Sequence, residues 1–240
     1  MARDEQSRVD NLVPMLAAWA DIESRYPQAA DKERLRFVVD DMVLEDWLGG
    51  VGAAADDAGG GELPAWLELR PSRMCDKDSK GNPVIADKLV AAWVRSVVAA
   101  ACGFRLRGMI VGRDATITIE PLPREEAVQA LTTLMLTWRE GMSEPLPVAR
   151  KTALGHVSGA RSVQSIYEGQ EGVRGEAAQD ACLGRMFPDF ESLTEDSRFY
   201  ELADRLFGPL CAWIGAYVTR ELHGVRAARV AQQRTAQVTP

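Results

Sequence analysis

Trp138-Arg139-Glu140-Gly141-Met142-Ser143-Glu144-Pro145-Leu146 closes a helix whose start, apolar stripe and stop are all legible. Pro123 suits its first turn, and Glu125 and Glu126 complement the positive helix end. Val128, Leu131, Leu134, Met135 and Trp138 recur at steps of three and four, so residues 124–140 present one apolar face with Trp138 in the core. Gly141 ends the helix and Pro145 prevents it from resuming.

Two strands precede this helix. Thr116 to Ile119 favour a strand over Ala115 to Glu120, and Gly112-Arg113-Asp114 turns it from another over Leu106 to Val111. Further upstream, Leu89, Val90, Trp93, Val94, Val97, Val98 and Ala101 mark a helix over 86–102, with Gly103 just past its end. Ala65 to Arg70 reads as a strand stopped by Pro71. Leu35, Phe37 and Val39 alternate with Arg36, Val38 and Asp40, and Val43 to Leu48 follows, so Asp40-Asp41 makes a hairpin turn. A first helix begins near Pro14 and ends at Tyr26-Pro27. Residues 49–62, rich in Gly and Ala, read as a flexible loop, and Asp76 to Pro83 as a polar one.

The expected fold is α/β, a mixed sheet flanked by helices, with a helical C-terminal end. Residues 1–146 hold the sheet and its helices, 147–219 form the helical end of the same domain, and 220–240 are a basic tail expected to be disordered. In the helical end, Phe199, Leu202, Ala203 and Leu206 form one stripe, Gly208-Pro209 interrupts, and Leu210, Trp213, Ile214, Tyr217 and Val218 form another. The first helix stands already inside a domain-like pattern, as expected of a fragment of something longer.

The chain has 240 residues, 46% of them hydrophobic, enough for a sizeable core. Its net charge of −7 argues against generic binding to nucleic acid, so any such contact is a local patch or is shared with a partner. The four cysteines, Cys75, Cys102, Cys182 and Cys211, form no CxxC pair and read as small buried hydrophobes in a reducing compartment. Two histidines, His156 and His223, lack metal-ligand spacing. No apolar run reaches the ~20 residues of a membrane span, and there is no signal peptide, so a cytoplasmic location is expected.

Four landmarks in this element order resemble one family, the C-terminal domain of the gamma subunit of exodeoxyribonuclease V, RecC. They are Leu44-Glu45-Asp46-Trp47-Leu48; Leu69-Arg70-Pro71-Ser72; Pro121 to Ala127 leading into Trp138 to Leu146; and Tyr167-Glu168-Gly169 followed by Val173-Arg174-Gly175-Glu176. The third is the most specific, and the resemblance runs over roughly residues 9–214. It implies a degenerate PD-(D/E)XK nuclease-like fold inside a helicase–nuclease. The partners implied are RecB-like and RecD-like subunits, double-stranded DNA ends and unwound strands, with no membrane. ATP and Mg²⁺ would be used by other subunits, and no cofactor by this chain. The RecC parts that read Chi would lie upstream.

Active enzymes of that fold hold a divalent metal with an acid on one strand and an acid-x-Lys pair on the next. Here the first position falls near Gly49, which has no ligand atom, and the second strand offers Glu68-Leu69-Arg70. Arg70 is always protonated and does not replace the lysine. The following helix carries Asp87, Lys88, Ala91 and Ala92 where family nucleases have Gln and Tyr. Asp46 is the residue that could rescue a metal site with Glu68, but with Trp47 facing the core, strand alternation turns Asp46 away. No catalytic or metal-binding residue is therefore expected.

Candidates for DNA or partner contact are Arg139, Arg150, Lys151 and Arg174, and Arg34, Arg36, Arg105, Arg107 and Arg113 form a basic face where the sheet joins 36 to 107. The expected function is a non-catalytic RecC-type subunit that scaffolds the motor subunits and guides DNA strands in double-strand break repair by homologous recombination. The alternatives are an active Mg²⁺-dependent nuclease of the same fold and an interaction module unrelated to DNA.

Overall fold

A computed structural model describes residues 12–54, 62–77, 83–84 and 86–223. Helix α1 (Val13–Arg25) begins with Pro14 in its first turn and ends at Tyr26. The chain then forms β1 (Gln28–Ala29), the hairpin β2 (Glu33–Val39) and β3 (Met42–Leu48), β4 (Val51–Ala53) and β5 (Ala65–Arg70). Two short paired segments, β6 (Asp76–Lys77) and β7 (Pro83–Val84), lead to α2 (Ala86–Ala101). Strands β8 (Arg107–Gly112) and β9 (Ala115–Ile119) precede α3 (Arg124–Ser143).

One six-stranded sheet runs in the order β1-β4-β5-β8-β9, closed by β12 (Val218–Leu222) at the far edge. Only β5 and β8 pair in parallel, as a strand–helix–strand unit requires, and α2 is their crossover. Trp66 and Ile110 face α2 and α3, whereas Ala65, Met109 and Val111 face α1 through Met15, Ala18 and Ile22. At Gly108 a Cβ would lie 2.3 Å from the Trp66 ring, so the indole is seated on bare backbone.

The β2–β3 hairpin is a separate two-stranded ribbon outside the main sheet. Its two-residue turn is made by Asp40, with φ of +51°, and Asp41. Leu35 and Leu48 are buried, and Phe37, Val39, Met42 and Leu44 pack on the core cluster that α2 and α3 supply. The ribbon thus lies across the helical layer. Arg36 and Arg107 do not meet, because β2 pairs with β3 and β8 with β5 and β9.

Several expectations are corrected. Val51–Ala53, inside the Gly-rich stretch, pairs with β1 and β5; residues 55–61 of that stretch lie outside the described residues. Residues 220–222 of the basic tail belong to β12, because its backbone completes the ladder with β9; residues 224–240 lie outside the described residues. Helix α3 runs through Gly141 to Ser143.

After α3 come α4 (Arg150–Val157), α5 (Val163–Glu168), the β10 (Gly169–Gln170) and β11 (Val173–Arg174) ribbon, α6 (Glu176–Gln179), α7 (Ala181–Met186), α8 (Phe190–Leu193) and α9 (Arg198–Tyr217). Helix α9 continues through Pro209, which the sequence reading took as a break. Its apolar stripe is in phase on both sides of the proline. Phe199 and Ala203 bury in the helical end and Leu210 and Trp213 in the sheet core, and this packing outweighs the lost hydrogen bond. The fold is mixed α/β, with nine helices among the described residues.

Candidate functional site

The positions that would carry nuclease chemistry come together where β3 ends, β5 crosses the sheet and α2 packs over it. Strand alternation places Asp46 on the hairpin face of Leu44 and Leu48, turned toward α2. The expectation that Trp47 faces the core is wrong: Trp47 is 62% exposed and Leu48 is the buried residue. A recess here is lined by Asp46, Gly49, Ala91, Val94 and Arg95, among others.

Arg95 governs this recess. Its guanidinium donates to the Gly49 carbonyl and lies 4.7 Å from the centre of the Trp66 ring. Burial lowers its pKa from the ordinary value, and the carboxylates of Glu68 and Asp46 oppose that shift. An arginine nonetheless stays protonated at neutral pH. Both carboxylates therefore feel a fixed cation. Glu68 is also committed elsewhere: its Oε1 accepts from Nε and Nη2 of Arg70, at 2.8 and 2.5 Å. The third arm of Arg70 donates to the Lys88 carbonyl at 2.8 Å. Asp46 accepts from the Trp47 amide at 2.7 Å.

The donor set does not fit a divalent metal. Gly49 contributes only a carbonyl, which Arg95 uses, and Glu68 is bound by Arg70. Among the described residues no group of three acidic, histidine or cysteine side chains is arranged to hold an ion. Sequence reading missed Arg95. The available signal was a lone charge in the apolar run Trp93-Val94-Arg95-Ser96-Val97.

The four contact candidates do not form one patch. Arg139 reaches from α3 to the hairpin turn, 3.3 Å from Asp40 and 3.2 Å from Asp41. Arg150 pairs with Asp87 at 2.9 Å. Lys151 Nζ donates to Gln179 Oε1 at 2.8 Å, and Arg174 donates to the Ala178 carbonyl at 2.9 Å. Lys151 and Arg174 are thus neighbours through α6, while Arg139 stands apart. Arg34 and Arg36 pair with Glu45, and Arg107 with Glu120 and Glu62.

Tyr167 to Glu176 is a clamp on α4. The Glu176 carboxylate accepts from the amides of Lys151 and Thr152 and from the Thr152 hydroxyl, at 2.9, 2.8 and 2.8 Å. It thereby satisfies the open N–H groups of that helix end. At Gly175 a Cβ would lie 2.2 Å from the Tyr167 carbonyl, and Gly169 adopts φ of +92°, so the ribbon closes against α5 only with glycines there. Tyr167 is fully buried and donates to the Phe187 carbonyl; burial pushes its pKa up to about 12.

Trp138 does not lie in the core, contrary to expectation: it is 62% exposed. The end of the α3 stripe, Leu134, Met135 and Trp138, instead walls an apolar groove with Met42, Val43 and Val94. The groove has a volume of about 620 Å³. Among the described residues the four cysteines form no disulfide with one another, and Cys182 is exposed rather than buried, since α7 buries none of its residues.

The family model of the RecC C-terminal domain matches residues 1–160. The chain belongs to this family. The match takes in the first three landmarks and ends before the Tyr167–Glu176 clamp. Membership implies a subunit role in a RecBCD complex. No curated protein matches the chain. No helix among the described residues is long and apolar enough to cross a membrane.

Proposed function

We propose that the chain is the non-catalytic C-terminal part of a RecC-type subunit of exodeoxyribonuclease V. In this reading it is cytoplasmic, scaffolds RecB-like and RecD-like subunits, and guides DNA strands during double-strand break repair by homologous recombination. The reading takes its sheet and crossover helix as a PD-(D/E)XK fold whose chemistry is gone. The observation that carries the reading is that two arginines take up the groups such chemistry would use: Arg95 donates to the Gly49 carbonyl and Arg70 pairs with the Glu68 carboxylate. Such a domain needs no metal or nucleotide of its own, and ATP and Mg²⁺ serve the other subunits.

The apolar groove beside Trp138 supports a partner-bound state, because exposed apolar walls of this kind are characteristic of interaction surfaces. Among the four candidate cations, the reading assigns partner or strand contact to Lys151 and Arg174 together, since Gln179 bonds both the Lys151 side chain and the Arg174 carbonyl. The test is co-purification of the tagged chain with RecB-like and RecD-like subunits, followed by sizing. A stoichiometric complex is expected. A folded chain that assembles with neither subunit overturns the reading.

A further inference from the structure

We propose that a basic cleft at the C-terminal ends of β5 and β8 binds the phosphodiester backbone of a DNA strand. That the anion is DNA rests on the subunit reading above; that the cleft takes a phosphate group rests on its own geometry.

The cleft is lined by Arg70, Ser72, Arg73, Lys88 and Arg113, with a volume of about 520 Å³. It arises from the parallel pairing at the centre of the sheet. Arg70 ends β5 opposite Gly112, so Arg113 follows directly on the neighbouring strand. The two loops leaving these strands are tied by the Arg113 amide, which donates to the Ser72 carbonyl at 3.0 Å. Lys88, in the first turn of α2, donates to the Arg73 carbonyl at 2.9 Å. Three cationic side chains from strand ends and loops, and one from a helix start, therefore share one rim.

The counter-charges leave Arg73 and Arg113 able to meet an added anion. Asp114 is fixed by the amides of Met74 and Cys75, at 2.7 and 3.3 Å, and lies 3.6 Å from Arg73, whose side chain remains 55% exposed. Arg70 is held by Glu68 and by the Lys88 carbonyl and contributes its charge to the rim. Arg113 is exposed and has no ion pair among the described residues. In a chain of net charge −7, four cations on one recess stand out against the general field.

The recess suits phosphate oxygens, which guanidinium forks bind through paired N–H donors. It contains no aromatic ring, so bases have nothing to stack on and the contact is independent of sequence. The cleft lies outside the recess at Gly49, and its lining offers cations to a phosphate and no carboxylate to a metal.

The test uses the full chain and fluorescein-labelled oligothymidine and oligoadenosine of about 20 nucleotides, read by anisotropy across a salt series. Equal affinity for both is expected. In the Arg73→Ala/Arg113→Ala variant, with the wild-type circular dichroism spectrum, affinity falls at least about tenfold, and the slope of log K against log salt shrinks by about 1.4, two single-strand phosphate contacts. Unchanged affinity and slope overturn the proposal. Inorganic phosphate that binds while the oligonucleotide does not would assign the cleft to free phosphate and overturn it as well. The same variant is sized with the RecB-like and RecD-like subunits: intact assembly with unchanged strand binding removes the cleft and leaves the subunit reading standing.

Discussion

The Arg95 guanidinium donates to the carbonyl of Gly49 and joins the end of the hairpin to the crossover helix. It also covers the Trp66 ring and stands in the field of Glu68 and Asp46, so one side chain meets an acceptor and an aromatic face and counters two carboxylates at a distance. Arg95→Ala should destabilise the chain by about 2–3 kcal/mol, the loss expected for a charged hydrogen bond plus a partly desolvated cation–π contact. Arg95→Lys should recover less than half of this, since an ammonium does not supply the planar fork. Urea unfolding of the three proteins decides it; a loss under about 0.5 kcal/mol for Arg95→Ala would mark the residue as ordinary surface.

The same cation predicts the response to metal. Millimolar Mg²⁺ or Mn²⁺ should neither raise the melting temperature nor support cleavage of linear DNA, because the Glu68 oxygen facing Arg70 is already bound. Cleavage abolished by Glu68→Ala would show that the carboxylate escapes its arginine.

Glu176 closes the end of α4 with three hydrogen bonds in a site only 9% exposed. Glu176→Ala leaves the buried amide and hydroxyl of Thr152 and the part-buried Lys151 amide without their acceptor, and should lower stability by about 2–4 kcal/mol. Glu176→Gln keeps one acceptor oxygen but turns an N–H₂ group toward donors, so an intermediate loss is expected. Hydrogen exchange at the Lys151 and Thr152 amides should accelerate in both variants, and unaltered exchange would deny the capping role.

The central sheet and its two covering helices were legible because each is set by a local pattern: the strand of Ala65–Arg70, the stripe of α2, the Thr-Ile alternation of β9. What escaped depends on partners distant in sequence. Val51–Ala53 is too short and too poor in large side chains to announce a strand, and it is one because β1 and β5 flank it. The hairpin was seen, but its place outside the main sheet follows from how Leu35 and Leu48 pack on α2, which alternation does not encode. Pro209 should have broken α9, yet tertiary packing of Phe199 and Trp213 on either side held it together. At the site, the losses at Gly49 and Arg70 could be read from residue types. Arg95 announced itself only as a lone charge in an apolar run, because it lies 27 positions beyond Glu68 and comes near it only through the crossover.

Tyr167 predicts an alkaline signature. Its folded pKa is raised to about 12 by burial, against 10.0 for the free phenol. Between these values the unfolded chain has lost the phenolic proton and the folded chain keeps it, so stability falls as pH rises from about 10 toward 12. Below pH 10 the group contributes no pH dependence. Tyr167→Phe should be less stable at neutral pH by about 1 kcal/mol through the lost bond to Phe187, and should show a shallower decline above pH 10. Parallel declines in the two proteins would place the ionisation elsewhere.

Trp138 separates stability from assembly. Its ring is 62% exposed at the rim of the groove formed with Val43 and Val94, so Trp138→Ala should change the chain's own stability by less than about 0.5 kcal/mol. In a complex with the motor subunits an indole at such a rim is the type of residue that dominates binding, and its truncation should weaken association at least about tenfold. Leu131→Ala, about two turns earlier on the same stripe but only 2% exposed, should do the reverse: about 2–4 kcal/mol lost in folding, and in the surviving folded fraction little change in association. The comparison is made by unfolding each chain alone and then titrating it into the partner subunits. Equal binding by Trp138→Ala and the parent chain would show that the groove faces solvent in the assembled machine, and that the helicase subunits hold this domain by another surface.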